Sequence, residues 1–231
     1  MGDTKYSEDV RRRAEQHYAN LQKRMGKRVK QIIAGWSLDP NQYASVFTEA
    51  MEDNSDRAAA ITIFALFDDL LLKVMQEHFD PDIPGGFDSI FHPSAFLGTA
   101  HNRLKLALAL RWVEKTTYQD INLLRSIRNR FAHHIEAKTF DDARIAGYIT
   151  SLSENDRDRN ELEQVEPRNR FMYLSVKIFM TFVIQITTFP YSLMLGISSR
   201  DILGSYENLP ENLKTVFDKL TNVLNGMLTQ G

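Results

Sequence analysis

Apolar residues recur along this chain three and four positions apart, the spacing of one helix face, and nothing reads as a strand with a period of two. The pattern predicts a first helix over residues 7–35, with Glu8 and Asp9 in its first turn, where carboxylates suit the helix dipole. A second begins at Pro40, with Asp39 as N-cap and Gln42 completing a capping box. A third starts at Asn54 or Ser55 and runs through "RAAAITIFALFDDLLLKVMQEHF". Three prolines and two glycines make residues 80–94 a loop. Helices then follow over residues 99–112, after Thr116 as N-cap, and after Thr139 as N-cap with Asp142 at the third position.

Residues 153–168, "SENDRDRNELEQVEPR", are nearly free of apolar side chains and mark the clearest boundary. The chain therefore divides into N-terminal helices over 1–53, a helical core over 54–152 and a C-terminal helical extension over 153–231. The extension opens with "NRFMYLSVKIFMTFVIQITTF", an apolar helix expected to stop at Pro190. Ser175, Lys177, Thr181 and Gln185 interrupt its apolar run, so it reads as a buried core helix and not as a membrane span. A last helix starts at Pro210. Its stripe of Leu213, Val216, Phe217, Leu220, Val223, Leu224 and Met227 either closes the core or forms a dimer seam. The fold class expected is all-α.

Net charge is -2 over 231 residues, so no global attraction to nucleic acid arises. The first 35 residues differ: nine Lys/Arg face four acids, a balance of +5 that leaves -7 for the rest. Arg11, Arg12, Arg13, Arg24, Lys27, Arg28 and Lys30 are candidates for phosphate contact, weighed against an ordinary solvated helix face. No cysteine is present, which excludes disulfides, thiolate nucleophiles and cysteine zinc sites. His78, His92 and His101 are too irregularly spaced for a metal site, so neither metal nor cofactor is expected. The charged N-terminus lacks a signal-peptide core, and a cytoplasmic protein is expected.

The stretch "RSIRNRFAHH", residues 125–134, holds the densest candidate chemistry. On a helical wheel Ile121, Leu124, Phe131, Ala132 and Ile135 share a side, with Arg128 in their midst. The third helix shows the complementary arrangement, in which Asp68 sits at the centre of Ile61, Phe64, Ala65, Leu71, Leu72 and Met75. A buried guanidinium needs a partner, so Asp68 and Arg128 are expected to form an ion pair in the core. The catalytic alternative makes His133 a general acid or base while Arg128 stabilises charge on a phosphoryl oxygen, which suffices for metal-independent RNA cleavage.

"RNRFAHH" resembles the R-x4-H signature of the HEPN superfamily, matched here by Arg128, Asn129 and His133. That resemblance implies a helical, usually dimeric domain, with ribonucleases as well as inactive interaction modules among its members. A longer resemblance runs through "DRAAAITIFALFDDLLLKVM", "NRLKLALAL", "YQDINLLRSIRNRFAHH" and "TFDDARI", which in this order are similar to the mannitol-operon repressor family over residues 54–152. It implies a dimeric, non-enzymatic regulator of transcription that works through a protein partner. A HEPN-type ribonuclease using Arg128, Asn129 and His133 is the alternative, and nucleic-acid contact through the basic N-terminus a third.

Overall fold

The computed structural model describes residues 40–53, 55–154, 162–195 and 209–229, together with residues 12, 15, 16, 19, 20, 23, 24, 26, 27, 29–31, 34, 160 and 206. Its main helices are α1 (Pro40–Glu52), α2 (Asp56–His78), α3 (Asp88–Phe91), α4 (Ala100–Ala109), α5 (Lys115–His133), α6 (Ala143–Thr150), α7 (Pro167–Leu195) and α8 (Glu211–Thr229). No strand occurs among the described residues, and the fold is all-α.

Local chemistry explains most of the boundaries. Ser55 caps α2, its hydroxyl accepting from the Ala58 N–H, and Thr99 caps α4 by accepting from Asn102. Two expected caps move. α5 begins at Lys115 with Glu114 as N-cap, so Thr116 lies within the first turn; the Glu114 N–H instead donates to Gln185 on α7. α6 begins after Asp142 rather than Thr139, because a carboxylate able to accept from both Arg144 and Ile145 N–H is the stronger cap. One short helix, α3, interrupts the predicted 80–94 loop.

α4 ends three residues earlier than the apolar pattern suggests. The Trp112 N–H returns to the Ala107 carbonyl and the Arg111 N–H to Leu108, a Schellman closure that puts Arg111 at φ 57°. This turn carries the Trp112 ring inward to 4.8 Å from the His78 ring. Pro190 does not stop α7, which continues to Leu195. Tertiary packing overrides the proline: Thr188 is fully buried and Tyr191 lies 5.3 Å from His78.

α2 is central, packing against α1, α4, α5 and α7. Phe179 of α7 sits 5.5 Å from Tyr43, 5.5 Å from Phe47 and 5.2 Å from Phe67, which joins α1, α2 and α7 through aromatic contacts. Phe140 bridges Phe131 and Phe171 in the same way, at 5.2 and 4.5 Å. α7 is long and apolar enough to cross a membrane, but 78% of its apolar window is buried inside the protein, so it is a core helix. α8 packs on α1 and α7 of its own chain through Leu213, Val216, Phe217 and Leu220.

A polar knot ties the start of α2 to remote segments. Arg168, at the start of α7, donates to Asp56 and to the carbonyls of Ala50, Met51 and Asp53, satisfying the open end of α1. The other Asp56 oxygen accepts from the Phe140 N–H, while Arg57 donates to the carbonyls of His134 and Ala137.

Candidate functional site

The candidate site is the surface where α2, α4 and α5 meet. α2 and α5 run antiparallel: Arg57 reaches the carbonyl after α5, Phe64 lies beneath Arg128, and Leu71 lies near Ile121. This register sets the pairing of charges. Asp68 stands one turn beyond Phe64, level with Arg125 and Ile121, and its partner is Arg103 of α4. Arg103 is 5% exposed and donates to one Asp68 oxygen through Nε at 3.1 Å and Nη2 at 2.5 Å, and to the Leu97 carbonyl through Nη1 at 2.6 Å. The ion pair expected between Asp68 and Arg128 is therefore not formed, because the wheel treats α2 and α5 in isolation and leaves out α4, which packs beside both and supplies Arg103.

Arg128 is half-buried. Its guanidinium lies 5.6 Å from the Phe64 ring centroid, in cation–π range, and Nη1 donates to Asn129 Oδ1 at 3.0 Å. Arg125, one turn earlier, donates from Nε to Asn122 Oδ1 at 3.3 Å. Beside Arg125 on α4 stand His101 and Lys105; burial first, then the charges of Arg125 and Lys105, lower the pKa of His101. The apolar stripes predicted for these helices are only partly buried. Phe64, Leu71, Met75, Ile121, Leu124 and Phe131 are buried, whereas Ile61, Ala65 and Ala132 are exposed and Ile135 is 83% exposed.

His133 is the last residue of α5 and is exposed. Among the described residues no hydrogen bond or ion pair joins it to Arg128, from which it is offset by about 140° on the helix. The turn beyond it is pinned elsewhere: Arg130 contacts Asp142 at 3.1 Å and Glu136 at 3.3 Å, and His134 Nδ1 lies 3.2 Å from Glu136. The space enclosed between Phe64, Asp68 and Arg125 is about 10 Å³, room for at most one water. A ligand of this junction must therefore bind on its surface. A larger cleft, about 510 Å³, lies away from the motif between α1, α7 and α8, lined by Thr48, Glu52, Asn169, Met172 and Asn222 among others. No group of three metal-ligating side chains occurs among the described residues.

Of the N-terminal cations, Arg11, Arg13 and Arg28 lie outside the described residues; Arg12, Arg24 and Lys27 are exposed and Lys30 is half-buried. Sequence reasoning overlooked Arg103, although it precedes Leu104 on a helix whose buried side also holds Ala107. It also overlooked Asp56, Arg57 and Arg168, whose partners are too distant in sequence for any local pattern.

No curated protein and no solved structure matches this chain. Residues 45–178 match the mannitol repressor family, a span that begins inside α1, passes through the charged boundary segment and ends inside α7. With more than half of its length so matched, the chain belongs to the mannitol repressor family.

Proposed function

We propose that this repressor-family protein acts in the cytoplasm by contact with another protein, as a homodimer and without catalysis. The observation that carries the reading is the setting of the R-x4-H residues. Arg128 rests on Phe64 and Asn129, His133 is exposed at the last position of α5 and offset from Arg128 around the helix, and the junction beneath has no room for a substrate. Arginine and histidine in a nuclease need a common phosphate within hydrogen-bond reach.

Complementing a deletion strain with wild type, Arg128→Ala and His133→Ala, and measuring the transcripts that rise on deletion, tests the proposal. Repression retained by His133→Ala, with no cleavage of an RNA pool in EDTA by the wild type, is the expected result. RNA cleavage lost in a folded His133→Ala variant, together with loss of repression, would establish the ribonuclease instead. Sedimentation of the purified chain tests the homodimer separately.

A further inference from the structure

α4 has only ten residues and covers one end of the α2–α5 seam. At the other end the seam is open, with Ile61 and Ala65 exposed on either side of Phe64 along α2, and Ala132 exposed on α5. Arg125 and Arg128 stand along its edge, and they differ from the other half-buried or buried arginines among the described residues. Arg103, Arg130, Arg168 and Arg170 each hold a carboxylate, and Arg57 holds two carbonyls. Among the described residues, Arg125 and Arg128 make their hydrogen bonds only to the neutral amides of Asn122 and Asn129. Two guanidiniums that form no ion pair among the described residues, next to exposed apolar side chains, make a surface with unspent donors and unburied area.

We propose that this edge receives an acidic, partly apolar segment of a partner protein. Its carboxylates take Arg125 and Arg128, and its apolar side chains cover Ile61 and Ala65. The proposal rests on the protein-contact reading above and assigns the contact to a surface. Carboxylate is the counter-group because four of the five other enclosed arginines among the described residues donate to one, a planar group whose two oxygens suit the guanidinium fork. Nucleic acid fits less well: Phe64, the aromatic ring at this edge, is 5% exposed and already covered by Arg128, so it offers no face on which a base could stack.

The test uses the full chain and three labelled probes: a synthetic helix with glutamate and leucine on one face, the same helix with glutamine for glutamate, and a duplex DNA. Fluorescence anisotropy should show the glutamate helix binding the wild type, and at least about tenfold less affinity for the glutamine helix and for an Arg125→Gln/Arg128→Gln variant. Ile61→Glu should weaken the glutamate helix as well, while Arg144→Gln, on the exposed side of α6, should not. Circular dichroism checks that each variant is folded. Equal binding of both helices, no loss in the double variant, or preferential DNA binding through these arginines would overturn the proposal. So would conversion of a dimer to a monomer by the double variant, since the edge would then be filled by a second copy. If the probes fail while repression survives in His133→Ala, only the surface assignment falls; if repression is absent from the wild type, the protein-contact reading falls with it.

Discussion

Arg168 and Arg128 are both partly buried, yet one is spent inside the fold and the other is not. Arg168 arrives where an acid and three carbonyls already converge, and it satisfies all of them. Arg128 arrives over an aromatic ring with one amide for company. The difference teaches that burial alone does not mark an arginine as structural. What decides is whether the chain supplies the counter-charge.

Asp56→Ala should break the first setting most severely. It leaves Arg168 with carbonyl partners but no counter-charge and frees the Phe140 N–H at once, a loss of about 3–5 kcal/mol in urea unfolding by comparison with other broken ion pairs. Asp68→Ala should cost somewhat less, about 2–3 kcal/mol, because among the described residues Asp68 accepts from Arg103 alone and its loss leaves no backbone N–H without a partner. Arg128→Ala should cost under about 1 kcal/mol, the scale of one exposed cation–π contact. A cost near that of Asp68→Ala would erase the comparison by making Arg128 structural after all.

A smaller effect concerns pH, and its sign is fixed. The pKa of His101 is lowered from 6.5 by burial and then by Arg125 and Lys105, and that of His78 by burial. Below pH 6.5 the unfolded chain binds more protons at these positions than the native one, so their contribution to stability is intact above 6.5 and is lost as pH falls through that window. Urea midpoints measured from pH 7 downward should decrease accordingly. Arg125→Gln should raise the His101 pKa in an NMR titration, because of the two cations opposing protonation it removes the one with the larger effect.

Helix order and most helix starts were legible in the sequence because they are local. The helices expected to start near Ser55 and Thr99 do start there, each capped by that residue, and periodicity identifies α2, α5 and α8. Where competing local signals meet, the stronger acceptor wins, as Asp142 does over Thr139. Pro190 shows the limit of a local rule inside a packed helix. The candidate site was legible only as a cluster of residues. Arg128 and Asp68 are each unusual on their own wheels, but their partners depend on the α2–α5 register and on the arrival of α4, and neither is written in a single helix.

Asp56 and Arg57 are neighbours in the chain, yet they fasten it to residues between 77 and 112 positions away. Loops of that size must close before the knot can form, so it belongs to the later part of folding. Interactions absent from the transition state act on the rate at which the native state comes apart, and hardly on the rate at which it assembles. The knot therefore works as a latch, and stopped-flow measurements on Asp56→Ala should show faster unfolding with refolding little changed.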